Sequence, residues 1–313
     1  MRPYYISDNE VTTIGMPPGI GDLHWIMSKL ESFKEKNGIK KVKAVMNLGE
    51  TGSKSIHDCS LDYLKLVPLV DEAETITPII PFEYALAGGS GTPLFKNHGG
   101  CDYMIEFNSY LEKGINLKDI LPEYETNFDY PIKKPRKSEK FVESLKKSIG
   151  GKLVLLFTAS VEGNNVWARD LWTPRDWMEL ARKIYKKTAC KPVLIGGRWD
   201  RNYADELQVL DVDKIIHDIV GKTSVADLFA LIRKASVLVA YQCGVVMMAT
   251  KFRTPVAGFW PVKSERNPEG VFNRSFTRSW LPPWADEVGF MPFGFGDEDA
   301  TPDGLFAAIR RYL

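Results

Sequence analysis

Val11-Thr12-Thr13-Ile14-Gly15-Met16-Pro17-Pro18-Gly19-Ile20-Gly21-Asp22-Leu23-His24 is the stretch whose reading decides the fold. Val11 to Ile14 reads as a short strand, Pro18 to Gly21 as a glycine-rich turn, and Trp25 to Leu30 as the first turns of a helix. Glycines let a backbone approach a ligand closely and adopt positive φ. The helix N-terminus behind them offers free N–H groups to an anion. Asp22 and His24 put an acid and an imidazole at the same spot. The dinucleotide fingerprint G-x-G-x-x-G is excluded, because His24 stands where its third glycine belongs. A phosphate loop ending in Gly-Lys-Ser/Thr is excluded as well. An ordinary strand-to-helix turn with Asp22 as a cap competes with the ligand reading.

A chain of 313 residues is long for one domain and suits two. Its 44% apolar and 26% charged composition is that of an ordinary globular protein. A net charge of +1 provides no overall field for nucleic acid or an anionic membrane. There is no signal-peptide pattern and no run of about 18 apolar residues, so neither secretion nor a membrane span is expected, and a cytoplasmic location is. Cys59, Cys101, Cys190 and Cys243 are scattered without metal-site or redox spacing, which predicts reduced thiols. The four histidines do not cluster either. Eight tryptophans and twelve tyrosines leave room for some to line a ligand cleft.

The chain continues in α/β grammar. A helix over 26–36 leads to a strand at 41–48 and a polar loop, Gly49-Glu50-Thr51-Gly52-Ser53. Further strands are expected at 74–80 and 103–107, with a glycine-rich piece, Gly88 to Pro93, between them. The run 131–141, Pro-Ile-Lys-Lys-Pro-Arg-Lys-Ser-Glu-Lys-Phe, is the best domain boundary and reads as a charged linker. Beyond it strands at 152–157, 192–195, 235–240 and 255–259 alternate with helices. Thr173 is a plausible N-cap with Pro174 at the first helical position, and Ser224-Val225-Ala226-Asp227 resembles a capping box. This order predicts a doubly wound parallel sheet. Asp211-Val212-Asp213 has the letters of a metal-binding D-x-D but falls in a surface-like stretch. The tail around Trp280 and Trp284 is expected to be coil with an aromatic surface patch, followed by a helix over 302–312.

Several stretches, in order, resemble the ADP-heptose:lipopolysaccharide heptosyltransferase family. Gly19-Ile20-Gly21-Asp22-Leu23-His24 is similar to its opening G-x-G-D turn. Trp172-Thr173-Pro174-Arg175-Asp176-Trp177 with Leu180-Ala181 resembles its W-P-x-x-x-W-x-x-L segment, with the proline displaced by one. Leu194-Ile195-Gly196-Gly197, the helix after Ser224, and Gln242 to Ala249 followed by Thr254-Pro255-Val256 resemble the later motifs. The chain departs from the family at Met247, where a histidine is usual, at Gln242-Cys243, where a small Asp/Asn-Ser/Thr pair is usual, and at Asp170, where a lysine is usual.

The resemblance implies two Rossmann-like domains facing across a cleft, the GT-B type. An acceptor domain would occupy 1–140, a nucleotide-sugar domain 141–300, and a last helix, 301–313, would cross back onto the first domain. It implies an inverting glycosyltransferase that needs no cofactor and no metal. The donor would be a nucleotide-diphosphate-sugar and the acceptor a hydroxyl, on a glycan or a lipid-linked sugar. Asp22 becomes the candidate general base, with His24 as runner-up base or acceptor contact. Gly21, Gly197, Gln242, Cys243, Gly244, Val245 and Val246 would approach the donor, the last residues through N–H groups at a helix start. Thr158 and Ser160 would bond nucleotide or phosphate, and Arg169 or Arg198 would neutralise the leaving group. Three readings compete: a nucleotide-dependent dehydrogenase or epimerase, which lacks its fingerprint; a non-catalytic nucleotide- or sugar-binding module; and a glycosyltransferase acting on nucleic acid or protein, hinted at only by the basic run at 133–140.

Overall fold

The computed structural model describes residues 11–47, 54–76, 93–98, 100–107, 110–111, 113–158, 172–260, 278–294 and 299–313. The chain divides into two units between Lys133 and Lys134. The Gly49–Ser53 loop, the glycines at 88–91, and Ser160, Arg169 and Asp170 lie outside the described residues.

In the first unit β1 (Val11–Met16), β2 (Lys41–Asn47), β3 (Glu72–Ile76), β4 (Leu94–His98) and β5 (Cys101–Ile105) form one sheet in the order β3-β2-β1-β5-β4. All neighbours are parallel except the β4–β5 hairpin. β1 is central, with Thr12 level with Val42 and Ile14 level with Tyr103. Its last three residues, Ile14, Gly15 and Met16, are buried. Helix α1 (Ile20–Lys36) starts six residues earlier than the sequence suggested. Gly19 is its N-cap and Asp22 stands in its first turn, where an acid complements the positive end of the helix. Leu23, Trp25, Ile26, Met27, Leu30 and Phe33 are buried, and Phe33 meets Tyr103 edge-on at 5.0 Å. Helix α2 (Lys54–Leu66) follows β2 and leads to β3.

The second unit begins inside the charged run. Pro135 caps α3 (Arg136–Ile149), so only the start of the run is a connection. The remainder opens a helix whose Ser138, Val142, Leu145 and Ile149 are buried, a three-to-four-residue stripe. The sheet comprises β6 (Val154–Phe157), β7 (Val193–Ile195), β8 (His217–Asp218), β9 (Val237–Tyr241), β10 (Val256–Trp260) and β11 (Phe290–Gly294), ordered β11-β10-β9-β6-β7-β8 and parallel throughout. Counted from β6, this is the Rossmann order 3-2-1-4-5-6 read from the far edge. Its helices are α4 (Pro174–Thr188), α5 (Arg201–Leu210), α6 (Val225–Lys234), α7 (Gly244–Lys251) and α8 (Pro302–Ile309). Capping boxes open α4 (Thr173 with Asp176) and α6 (Ser224 with Asp227).

Two expectations about the tail are corrected. The stretch read as coil contains β11, and Trp280 is fully buried against Phe290, so no aromatic surface patch forms around it. Trp284 donates its indole N–H to the Thr250 carbonyl (2.9 Å) and lies under the Arg253 guanidinium at 4.0 Å. The last helix, expected on the first domain, belongs to the second unit. Leu305 and Ile309 are in that unit's core, and Asp303 pairs with Lys183 of α4 at 2.7 Å. The apolar stripe at 305 and 309 joins the core that also holds Leu180, Ala181 and Ile184 of α4, a pairing that short-range pattern cannot specify.

Candidate active site

In an open α/β sheet the crevice forms at the strand ends where crossovers leave in opposite directions. Each unit has one such point. In the first it lies beyond β1 and β5; in the second, beyond β6 and β9.

At the first, β1 runs into Pro17-Pro18-Gly19 and then α1. Gly19 has φ −78°, so it is not there for a left-handed backbone. The reason is steric. A Cβ on residue 19 would overlap Asp22 Oδ2 and lie 3.3 Å from its Cγ. The Asp22 carboxylate has folded back over the glycine, at the rim of the turn, and is partly exposed. Gly21 is simply the second residue of α1. His24 is 0% exposed. Its Nδ1 bonds the Tyr130 hydroxyl at 2.7 Å, and that hydroxyl meets the Tyr63 hydroxyl at 2.5 Å. Burial of this kind takes His24 out of the set of bases an acceptor can reach. Burial also raises both phenols well above their ordinary pKa, so they stay protonated. Beyond β5 stands Glu106, only 6% exposed. Sequence reasoning passed over it, although an acid closing the apolar strand Tyr103–Ile105 was a usable signal.

At the second point Thr158 follows β6 and is 3% exposed. Phe157 is level with Ala240, so Thr158 continues beside the end of β9. From there Gln242 and Cys243 lead into α7. The backbone of Gln242 is anchored by its N–H to the Phe259 carbonyl, 2.9 Å. The Val246 N–H donates to the Cys243 carbonyl (3.0 Å) and its side chain is buried. Val246 is thereby tied to its own N-cap, and the Cys243 thiol faces the Val245 and Val246 N–H groups at the helix start. No acid stands in the first turn of α7. Burial pushes the Cys243 thiol up to about 12, so it is neutral at physiological pH and adds no charge beside that N-terminus. Met247, at the position where the resembled family has histidine, is 3% exposed and part of the core.

The Gly196-Gly197 turn after β7 is shaped by Asp200, which is 3% exposed and accepts from the Gly197 N–H at 2.7 Å. A Cβ at residue 196 would lie 2.8 Å from that carboxylate, and one at 197 would run into the Trp199 ring. These glycines make room for their own neighbours. Arg198 is exposed, with its stem packed along Gly221, whose φ of +72° favours glycine.

The tryptophans of the Trp172–Trp177 segment are core residues, not cleft lining. Trp172 and Trp177 meet at 5.8 Å, Trp172 packs on Phe259 at 4.7 Å, and Trp177 meets Tyr241 at 5.7 Å. The Tyr203 and Tyr241 hydroxyls both donate to the Trp172 carbonyl at 3.3 Å. This cluster grips Tyr241, the last residue of β9, and so sets where Gln242 to Gly244 begin. The Asp211 carboxylate of the D-x-D letters is turned inward, accepting from the Ile215 and Ile216 N–H groups at 2.9 Å each. Among the described residues no group of three or more His, Cys, Asp or Glu is placed to hold a metal. No helix among them is long and apolar enough to cross a membrane.

No family model matches the sequence, and no curated protein matches it. Solved structures do. Escherichia coli ADP-heptose lipopolysaccharide heptosyltransferase II is similar over 96% of this chain and 98% of its own, with TM-score 0.63 at 11% identity. A glycosyl transferase family 9 protein of Veillonella parvula covers 79% and 80%, with TM-score 0.55 at 11% identity. E. coli heptosyltransferase WaaC with ADP covers 97% and 100%, with TM-score 0.51 at 10% identity. The chain therefore resembles these glycosyltransferases in fold over most of its length, and at such identities the likeness concerns the fold alone.

Proposed function

We propose that the protein is an inverting glycosyltransferase that moves a sugar from a nucleotide-diphosphate-sugar to an acceptor hydroxyl. The observation that carries this reading is the opposite chemistry of the two strand-end turns. One holds a partly exposed carboxylate, and the other a helix start with no acid in its first turn. The whole-length likeness to heptosyltransferases supports it.

In this mechanism Asp22 accepts the proton of the acceptor hydroxyl as its oxygen attacks the anomeric carbon. The bond from that carbon to the diphosphate oxygen breaks with inversion. The departing diphosphate carries its charge to the N–H groups of Gly244 and Val245 and to a cation, Arg198 or Arg169. Thr158 and Gln242 contact the nucleotide side. Helix dipole and guanidinium carry this charge, so the proposed reaction requires no metal. The acceptor is a glycan or lipid-linked sugar, and the protein works in the cytoplasm.

The test is a thermal-shift and turnover panel with ADP-heptose and with ADP-, UDP-, GDP-, CDP- and dTDP-glucose, beside NAD, on wild type and Asp22→Ala. One sugar nucleotide should stabilise both proteins, with slow hydrolysis or transfer only in wild type. Stabilisation of both without turnover in either selects the non-catalytic binding module, the reading favoured by Met247 in place of the family's histidine. Stabilisation by NAD alone removes the glycosyltransferase reading.

A further inference from the structure

His24 is not available as a base, yet it is costly to keep. An imidazole and two phenols, each at most 1% exposed, occupy a place in the first unit's core that apolar rings would fill without desolvating polar groups. Buried polar chains are retained at such cost where they specify one arrangement over others.

The connections show which arrangement is specified. Helix α2 is connected to the Asp22 turn through two residues three apart on one face, directly by Ser60 and by way of Tyr130 from Tyr63. Ser60 donates its hydroxyl to the Pro18 carbonyl, one residue before the cap of α1. Tyr63 bonds Tyr130, and Tyr130 bonds His24 in the second turn of α1. The segment bearing Tyr130 is tied to α1 as well, because the Asn127 N–H donates to the Ser28 carbonyl at 2.6 Å. The Phe128 ring closes the side of the imidazole at 5.9 Å. Asp22 sits between the two anchored points, Pro18 and His24.

Proton counting adds a constraint. Each phenol keeps its proton and can donate once. If Tyr63 donates to Tyr130, Tyr130 donates to Nδ1 and His24 carries its proton on Nε2. If the chain runs the other way, His24 donates from Nδ1. Either direction selects one neutral tautomer for the whole chain, and burial closes it to bulk water, so its effect is geometric.

We infer that Tyr63, Tyr130 and His24 are positioning residues that hold the first turn of α1, and with it the Asp22 carboxylate, in the geometry for proton abstraction. This rests on the reading of Asp22 as the base.

The test has a ligand-free arm and a kinetic arm. In wild type the imidazole ¹⁵N signals of His24 should show a single tautomer, set by its bond to Tyr130. Tyr130→Phe should give mixed tautomers and move the Asp22 carboxyl ¹³C signal, and Tyr63→Phe should do the same more weakly. Phe128→Leu, which keeps the hydrogen bonds, should leave both signals in place. On the fastest-turning sugar nucleotide of the panel, Tyr130→Phe should lower kcat by about 10- to 100-fold with KM changed less than about twofold. The inference is overturned if Tyr130→Phe and Tyr63→Phe leave the Asp22 signal unmoved, or if Phe128→Leu moves it equally. If instead Asp22→Asn keeps full turnover, the base assignment fails, while the ligand-free arm still decides whether the chain holds the turn.

Discussion

The two strand-end turns of this protein are built alike, and only one of them carries a charged side chain. In the first unit a strand ends, a glycine caps a helix, and the acid in the first turn folds back over the glycine. The positive end of that helix is answered by its own side chain. In the second unit a strand ends, Cys243 caps a helix, and the first turn holds only Gly244, Val245 and Val246. There the N–H groups have no acid of their own to meet. The two helix starts differ in whether the first turn holds an acid: Asp22 in one, none in the other.

The largest expected effect comes from removing the charge of the first turn. Asp22→Asn should lower turnover by about 10²- to 10⁴-fold while leaving the thermal shift by donor intact, as general-base loss does. A parallel fall in donor binding would mean the two turns are not specialised as described. Displacing the carboxylate is the next step down. Gly19→Ala puts a methyl where Asp22 Oδ2 lies, so the side chain must swing away. Turnover should fall about 10-fold or more with little change in Tm, because misplacement rather than unfolding is the cause.

Giving the second turn the chemistry of the first should have the converse effect. Val245→Asp places an acid in the first turn of α7, and donor affinity should weaken by about 10-fold, roughly the upper range of a helix-end charge. Titration of the stabilising sugar nucleotide reads this directly, and unchanged affinity would show that the diphosphate does not use this helix. A smaller effect tests the frame that carries the second turn. Thr173→Ala removes the cap of α4 and should cost about 1 kcal/mol in denaturant unfolding of the second unit, without altering the first.

The smallest effect concerns Lys29 of α1, which donates to the Tyr124 carbonyl at 2.8 Å. Burial lowers its pKa from 10.5 to about 8. The folded state thus holds fewer protons than the unfolded state between those values, and stability should rise with pH across that window. Lys29→Met should flatten this rise in a series of unfolding curves from about pH 7.5 to 10.5.

Much of this was legible in advance. Strand, glycine turn and helix at 11–30 follow from local pattern, and so do the parallel series from 152 to 259 and the caps at Thr173 and Ser224. Apolar periodicity and side-chain-to-backbone bonding within four residues are short-range effects. The purpose of individual residues was less legible. Gly19 reads as a backbone device, but its φ is ordinary and the Asp22 side chain is what excludes a Cβ there. The Trp172–Trp177 segment reads equally as cleft or core until Tyr241 and Phe259 are seen against it. Arg136 to Phe141 read as linker because charge outweighs apolar residues there, yet Val142, Leu145 and Ile149 already carry the stripe of the helix they open.

By itself the sequence determined the alternation of elements, the two strand-end turns and the presence or absence of an acid in each helix start. These depend on residues close together in the chain. Only the tertiary structure decided that His24 is buried, that Tyr130 bonds it from 106 positions away while Tyr63 bonds Tyr130 across 67, and that the last helix packs on α4. Those outcomes turn on which apolar faces find each other and which polar groups must then share protons out of reach of water, and neither is written in any local window of the chain.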